Sequence, residues 1–292
     1  MRPAVRTAAV TVVVAVLLAA VVAYAASDGG VKWAGLPVAL WCALLAFAVN
    51  WLAFVPSWLA RTEKFYDLTG TLTYLSVTGF ALVAVGRYDL RSILLSAMVA
   101  IWAVRLGSFL FRRVIATGSD GRFDTIKQDP ARLFMTWTLQ GLWVFLTLCA
   151  ALAAITPLAV KDVGPVTWVG LAVWIAGLAI EATADHQKNR FRNDPANDGG
   201  FITSGIWAWS RHPNYFGEIV LWTGVAVTAA GNLAGSRWIT FFVSPLFVAV
   251  LLTKVSGIPL LEQRADKRWG LDDDYEAYKS RTPVLLPRPP RR

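Results

Sequence analysis

Residues 133–156 read "LFMTWTLQGLWVFLTLCAALAAIT", a stretch that contains no charged side chain. A helix needs about 20 mainly apolar residues to cross the hydrocarbon core of a bilayer. The stretch is long enough and apolar enough for that crossing, so it predicts a transmembrane helix. Whatever else the chain contains has to be arranged around such a helix.

The same kind of stretch recurs on both sides of this one. The chain is 56% apolar, and its 16% of charged residues falls well below the roughly 25% of soluble domains. The other apolar runs of nearly spanning length are 8–26, 36–59, 70–86, 90–111, 165–185, 216–231 and 238–259. Because 70–86 and 216–231 are short, we predict an all-α polytopic bundle with seven or eight transmembrane helices. We expect residues 1–292 to form a single membrane domain.

The distribution of Lys and Arg supports this topology. With the N-terminus inside the cell, most of the 28 cationic residues fall in segments that stay cytoplasmic. The sequence therefore predicts an integral membrane protein with both termini in the cytoplasm. Topology and anionic lipid headgroups account for the net charge of +9, so we expect membrane lipids and no nucleic acid as partners. Residues 1–26 resemble a signal peptide, but their long apolar run favours an uncleaved first span.

Few residues outside the spans can carry chemistry. The two cysteines, Cys42 and Cys149, lie in the middle of predicted spans and indicate neither a disulfide nor a metal site. The polar segments are 112–132 and 186–212, and the other loops are too short for a soluble domain. The active residues are therefore expected in the helices and in these two segments, with no metal.

The segment "EATADHQKNRFR" at 181–192 places four charges at the end of a predicted span. Glu181, Asp185, Lys188 and Arg192 are spaced by four, three and four residues, so a helix aligns them on one face. One interpretation is a solvated helix end with ion pairs between successive turns. The other is the polar wall of a cavity, whose cations meet a phosphorylated ligand.

The segment "SRHPNYFGE" at 210–218 marks the start of the next helix, because Pro213 suits a first helical turn. Asn214, Glu218 and Trp222 then recur every four residues on one face. An amide, a carboxylate and an indole can together hold a flat, amide-bearing ligand, and the helix N-terminus attracts anions. The cations at this start are Arg211 and His212. The alternative is a polar interfacial cap within an aromatic belt.

Both segments carry a resemblance. Together with "EQRADKRWGLDDDYEAYKSRTPVLLP" at 262–287 and "TEKFYDLTGTLTYL" at 62–75, they resemble the steroid 5-alpha-reductase family, most closely its bacterial branch, with sterol reductases as wider relatives. The resemblance implies a membrane-embedded oxidoreductase. Such enzymes take a hydride from NADPH and reduce a carbon–carbon double bond conjugated to a carbonyl in a steroid-like or other apolar lipid substrate. It also implies a substrate side in 1–132 and a cofactor-binding region in 133–292.

The resemblance implies a role for individual residues. Asp185, Arg192, Asn214 and Glu218 match the family's cofactor-binding positions. Lys254 stands where the family has Arg, and Glu181 where the steroid enzymes have Asn. The full set of candidate cofactor-binding residues is Asp185, Lys188, Arg192, Arg211, His212, Asn214, Tyr215, Glu218 and Lys254.

The family's steroid enzymes also polarise the substrate carbonyl with a Glu and a Tyr. Hydride addition to an enone builds negative charge on the carbonyl oxygen, which an acid must stabilise by donating a hydrogen bond. The candidates are Glu63, Tyr66, Asp67 and Tyr74, of which Glu63 and the two tyrosines are the expected catalytic residues. Tyr66 and Tyr74 are two turns apart and fall on one face of a predicted helix.

Two alternatives stay open. The segment "RHPNYFG" and the downstream tail also resemble the isoprenylcysteine carboxyl methyltransferases, membrane enzymes that use S-adenosylmethionine. Asn214 with Glu218, together with the charged face at 181–192, favours the reductase. A transporter or a purely structural membrane protein would instead place its polar residues in mid-span or in paired broken helices.

Overall fold

The structure is a computed structural model that describes residues 3–117 and 123–290. Helices dominate the described residues, beside one short antiparallel pair, β1 (Lys32–Trp33) and β2 (Leu36–Pro37). The helices are α1 (Pro3–Ala26), α2 (Val38–Ala60), α3 (Tyr66–Val85), α4 (Leu90–Thr117), α5 (Pro130–Ile155), α6 (Pro165–Asn193), α7 (Pro213–Ala230), α8 (Trp238–Val250), α9 (Ile258–Trp269) and α10 (Asp273–Arg281).

Seven helical stretches of the described chain are long and apolar enough to cross a membrane. They are Val5–Ala26, Val38–Ala60, Tyr66–Val85, Leu90–Ile115, Pro130–Ile155, Pro165–Asn193 and Gly235–Trp269. The 18-residue helix α7 is not among them, because Asn214 and Glu218 in its first turns lower its mean hydropathy. The prediction of an all-α polytopic membrane protein with seven or eight spans is confirmed.

Two predicted boundaries differ from the structure. Helix α6 continues to Asn193, so the loop expected to begin at residue 186 begins eight residues later, and the charges at 181–192 share one continuous helix. The predicted last span, 238–259, is interrupted by a π-helical turn at Leu251–Val255 before α9 begins at Ile258. Within the polar segment 112–132, residues 118–122 lie outside the described residues.

The contacts divide the chain into two compact units. The first unit comprises Met1–Thr167 and Ala226–Ser244, and the second comprises Trp168–Val225 and Pro245–Arg292. The predicted single domain with a boundary near residue 132 stays a prediction.

Helix α5 is the centre of the first unit. From Gln140 to Ile155 every residue except Trp143 is buried, because α1, α2, α3 and α4 all pack against this helix. A helix that is apolar all round is typical of such a central position. It is also bonded to other parts of the unit: the Ser244 hydroxyl donates to the Thr147 carbonyl at 2.6 Å.

In the second unit, the end of α6 is covered by the segment that precedes α7. The indole of Trp207 donates to the Ala184 carbonyl at 3.1 Å, and the hydroxyl of Tyr278 donates to the Trp207 carbonyl at 2.7 Å. Trp207, Ala184 and Ile202 form a small buried cluster. These contacts hold α10 and the 205–211 segment beside the charged end of α6.

Candidate functional site

The two helices of the second unit that carry the candidate cofactor residues touch backbone to backbone. A Cβ atom added to Gly217 of α7 would lie 2.6 Å from the Glu181 backbone nitrogen of α6. A Cβ atom on Gly177 of α6 would in turn collide with the backbone of Leu221. Small residues at membrane helix contacts permit this close approach. The glycines therefore bring the polar faces of α6 and α7 together.

The charged face of α6 changes along its length from buried acids to exposed cations. Glu181 and Asp185 are only 2% and 7% exposed. One and two turns further on, Lys188 is half-buried and Arg192 is exposed. Burying a carboxylate is costly unless other groups interact with it, so the two acids belong to a polar cluster inside the unit.

Helix α7 supplies the opposite side of this cluster. The Asn214 amide donates to Asp185 Oδ1 at 3.5 Å, a long hydrogen bond that joins the two faces. Glu218 lies one turn further into α7 and is 6% exposed. Asp185, Asn214 and Glu218 therefore offer carboxylate acceptors and an amide donor within one region of α6 and α7.

A second cluster forms at the start of α7 around a residue from α9. Glu262 Oε1 lies 2.7 Å from His212 Nε2, and Glu262 Oε2 lies 2.7 Å from Arg211 Nη1. Glu262 thus holds both cations that precede α7 with its two oxygens. The His212 ring also stacks on Tyr215 at 5.7 Å between ring centroids.

Burial sets the protonation state of His212. It lowers the pKa of the imidazole below its ordinary value, and the nearby charges of Lys188 and Arg211 act in the same direction, while Glu262 opposes them. The neutral ring donates its Nε2 hydrogen to Glu262 and leaves Nδ1 as an acceptor. His212 therefore adds a neutral, oriented ring to a region rich in cations.

The remaining candidate cations lie at different depths. The ammonium of Lys188 lies 4.4 Å from the centre of the Trp207 ring, a cation–π contact that fixes the side chain at the end of α6. Lys254 is exposed on the π-helical turn that follows α8. The structure brings together Asp185 and Asn214, and separately Arg211, His212 and Tyr215.

The candidate catalytic residues belong to the first unit. Glu63 is 5% exposed, and one of its oxygens lies 3.1 Å from the ammonium of Lys127. This bond raises the pKa of Lys127, with further support from Asp124. Lys127 lies on a short 3-10 turn before α5, so the ion pair ties the polar segment between α4 and α5 to the start of α3.

The hydroxyl groups of both tyrosines of α3 form hydrogen bonds with residues of α5. Tyr66 donates to the Thr136 carbonyl at 3.2 Å, and its ring packs against Trp137. Tyr74 is 6% exposed, and its hydroxyl lies 2.6 Å from Thr147 Oγ1. Thr147 already donates its own proton to carbonyls of α5, so Tyr74 is the donor in this pair.

Comparison with known proteins assigns a family to this arrangement. The family model described as "Protein of unknown function (DUF1295)" matches residues 53–282, most of the chain and nearly all of the residues named above. The protein belongs to the DUF1295 family. The matched range includes the candidate catalytic residues of α3 as well as both clusters of the second unit.

The proteins similar to this DUF1295 protein include a probable methyltransferase and enzymes named for steroid and sterol redox reactions. It is 28% identical over 167 residues to the probable O-methyltransferase ustE of Ustilaginoidea virens, covering 51% of this chain and 56% of that protein. It is 26% identical over 123 residues to 3-oxo-5-alpha-steroid 4-dehydrogenase 1 of Mus musculus, 42% of each chain. It is 27% identical over 120 residues to the Delta(14)-sterol reductase LBR of Gallus gallus, 37% of this chain and 17% of that one. The chain thus spans about half the length of the first of these relatives and less of the others.

Two contacts of the candidate site residues could not be predicted from local sequence patterns. Glu262 opens the quoted segment 262–287, but nothing in its neighbours indicates a partner 50 residues earlier in the chain. Lys127 lies in a segment predicted to be a loop, 64 residues from Glu63. The only sequence signal for either pair was a charged side chain close to a predicted span, which requires a partner because isolated charges are costly there.

Proposed function

We propose that this DUF1295 protein is a membrane-embedded oxidoreductase that uses NADPH to reduce a carbon–carbon double bond conjugated to a carbonyl. Its substrate is an apolar lipid or a steroid-like molecule. The observation that carries the proposal is the pairing of Asp185 with Asn214 beside the cations of α6. The mouse and chicken relatives support the reductase class, since their names denote redox enzymes of steroids and sterols.

The donor set fits a phosphorylated nicotinamide cofactor. Arg211 Nε is buried and donates no hydrogen bond among the described residues, so it is available to a phosphate oxygen. Lys188 and Arg192 add two cations on the adjacent helix. Asn214 and Glu218 offer the donor and acceptor that a carboxamide requires. These residues would bind the phosphates at the charged end of α6 and the amide one turn deeper.

When bound, the cofactor supplies the hydride. The protein must then stabilise the negative charge that develops on the substrate carbonyl oxygen, by a hydrogen bond from an acid. The proposed donors are the hydroxyls of Tyr66 and Tyr74 and the carboxyl of Glu63, one oxygen of which lies 3.1 Å from the ammonium of Lys127. Each tyrosine would turn its hydroxyl from α5 toward the substrate oxygen. The enone gains a hydride at its β carbon and a proton at its α carbon, and the cofactor is oxidised.

Methyl transfer is the second candidate function. The match to the fungal probable O-methyltransferase favours it, because that match covers more of both chains than the matches to the two reductases. An isoprenylcysteine carboxyl methyltransferase-like enzyme would bind S-adenosylmethionine at the same end of α6 and α7. Such a ligand carries a carboxylate but no phosphate, so this function predicts no need for cations such as Lys188 and Arg192 around a phosphate group.

Calorimetric titration of the detergent-purified protein with NADPH, NADH and S-adenosylmethionine separates the two functions. We expect NADPH to bind. Glu218→Gln and Arg192→Ala should each weaken it by about 10-fold to 100-fold, the usual effect of losing a charge-assisted hydrogen bond. Arg190→Ala is the matched control, because Arg190 is an exposed cation two residues away on α6 that lines a different surface cavity with His186. Binding of S-adenosylmethionine without NADPH would replace the reductase with the methyltransferase.

A further inference from the structure

A cationic pocket lies in the second unit at the C-terminal side of α10, and neither Asp185 nor Asn214 is among its lining residues. It has a volume of about 350 Å³, and four basic residues line it: Arg211, Lys279, Arg281 and Arg288. None of the lining residues that the structure describes is acidic. A concave surface with this charge attracts anions and offers a phosphate several donors at once.

The peptide 283–288 forms one side of the pocket and is hydrogen-bonded to residues 209–211, the segment before α7. The Arg211 backbone N–H donates to the Pro283 carbonyl at 2.9 Å, and the Arg288 N–H donates to the Trp209 carbonyl at 3.0 Å. Between these bonds, the Ser210 hydroxyl donates to the Leu285 carbonyl at 2.8 Å. Three bonds over six residues fix the shape of the pocket without any ligand.

The cations of the pocket differ in their internal partners. The Lys279 ammonium lies 2.7 Å from Asp266 and 3.3 Å from Glu276, so its charge is already matched. Arg211 is paired with Glu262. Within residues 3–117 and 123–290, no carboxylate forms an ion pair with Arg281 or Arg288, and both are exposed. These two guanidinium groups carry the uncompensated positive charge of the pocket.

Exposed aliphatic side chains accompany these two arginines. Val284 and Leu286, which lie between them in the chain, are 39% and 61% exposed. The same peptide is bonded to residues 209–211, directly before α7. At a bilayer surface, exposed aliphatic groups enter the acyl region and cations meet lipid phosphates.

From this arrangement we infer that the pocket of Arg211, Lys279, Arg281 and Arg288 binds the phosphate of an anionic phospholipid headgroup, with Val284 and Leu286 against its acyl chains. A soluble phosphate compound would use the cations and gain nothing from the exposed aliphatic residues. The lipid uses both features. This inference goes beyond the proposed reductase function: the two exposed cations, Arg281 and Arg288, are not candidate cofactor residues, and Arg211 is the lining residue that the two proposed sites share.

The test uses the full chain in a neutral detergent, titrated with dioctanoyl phosphatidylglycerol, dioctanoyl phosphatidylcholine and inorganic phosphate. The variant Arg281→Gln/Arg288→Gln removes the two uncompensated charges. Arg264→Gln/Lys267→Gln is the matched control, because both residues are exposed cations of α9 outside the pocket. Leu286→Gln tests the aliphatic contact without changing charge.

We expect phosphatidylglycerol to bind more tightly than the other two ligands. Arg281→Gln/Arg288→Gln should weaken it about 30-fold, the effect expected for two cations near a lipid surface, and Leu286→Gln should weaken it while leaving phosphate binding unchanged. If Arg264→Gln/Lys267→Gln lowered the affinity for phosphatidylglycerol equally, the binding would reflect general charge attraction and the proposed site would be wrong. Phosphate binding as tight as that of phosphatidylglycerol would identify a free anion instead. Loss of NADPH binding in Arg281→Gln/Arg288→Gln, with phosphatidylglycerol unaffected, would assign the pocket to the cofactor.

Discussion

The two units of this DUF1295 protein use polar residues in opposite ways. In the first unit, Glu63, Tyr66 and Tyr74 are each bonded to a partner on α5 or just before it. In the second unit, buried acids, an amide and a row of cations gather where α6 and α7 touch through glycines. Each of these groups of the first unit bonds to a partner in that unit, whereas carboxylates, an amide and cations of the second unit lie together at one contact between two helices.

This difference indicates where a ligand affects the protein most. A polar group that already has a good internal partner contributes to stability, and a ligand gains from it only by displacing that partner. In the second unit, the clustered carboxylates and the amide are the groups proposed to bind a ligand, so a substitution there removes a donor or an acceptor from that ligand. Mutations should therefore mainly lower stability in the first unit and mainly lower ligand affinity in the second.

The largest loss of stability is expected for Lys127→Met in the first unit. The Glu63 side chain is only 3% exposed, and removal of its cation leaves a buried carboxylate that no longer has this counter-ion. We expect the free energy of unfolding to fall by about 3 kcal/mol, as for other broken buried ion pairs. Chemical denaturation in detergent, followed by tryptophan fluorescence, measures this change.

Two further variants control this prediction. Lys64→Met makes the same change of charge at the exposed neighbour of Glu63 and should alter stability by less than about 0.5 kcal/mol. Adding Glu63→Gln to Lys127→Met removes the unmatched charge and should recover most of the loss. If this double variant were no more stable than Lys127→Met alone, the ion pair would not be what holds the 123–129 segment.

The next largest effect is expected for Gly217→Ala, which should lower both the stability of the protein and its affinity for NADPH. The added methyl group would lie 2.6 Å from the Glu181 backbone nitrogen, so α6 and α7 must move apart. We expect a destabilisation of about 2 kcal/mol, typical of overpacking, together with loss of NADPH binding as Asn214 separates from Asp185. Thermal unfolding and calorimetry measure the two parts. The control is Gly79→Ala, where nothing lies within 4 Å of the new atom, and a native affinity in Gly217→Ala would refute the role of close contact.

The local periodicity of the sequence is enough to predict the helices and which residues share a helix face, but not which faces pack together. The apolar runs correctly predicted most of the helices. The spacing of Glu181, Asp185 and Lys188 correctly predicted that these three residues lie on one helix, α6. Which faces meet is decided by packing between distant segments, so the contact of Glu262 with His212 could not be read from either neighbourhood. The end of α6 was also predicted too early, because charged residues resemble a loop although they have good helix propensity.

Tyr66→Phe and Tyr74→Phe test whether the two tyrosine hydroxyls that bond to α5 also take part in catalysis. Tyr74→Phe should cost about 1 kcal/mol of stability, the usual value of one buried hydrogen bond, and Tyr66→Phe less, because its bond is longer. If either hydroxyl protonates the substrate, turnover of a 4-ene-3-oxo steroid should fall about 100-fold or more, which NADPH absorbance measures. Native turnover in both single variants and in the double variant would leave the tyrosines with a structural role alone.

The smallest effect concerns pH in the second unit. Since burial lowers the pKa of His212 in the folded protein, the unfolded chain takes up a proton first as the pH falls through 6.5. The free energy of unfolding should therefore decrease from pH 8 toward pH 5. The charges that face His212 are Glu262, Arg211 and Lys188.

His212→Gln keeps an N–H donor for Glu262 but cannot take up a proton, so it should make the pH dependence of unfolding shallower. His186→Gln is the matched control, because His186 is exposed on α6 and its surroundings change little on unfolding. Denaturation midpoints at several pH values compare the two variants. An unchanged slope in His212→Gln would mean that the polar cluster of the second unit, and not the imidazole, determines the response to acid. The contrast between the two units would then rest on their carboxylates alone, since Glu63 is matched by Lys127 whereas Asp185 and Glu218 lie in a site proposed to bind a ligand.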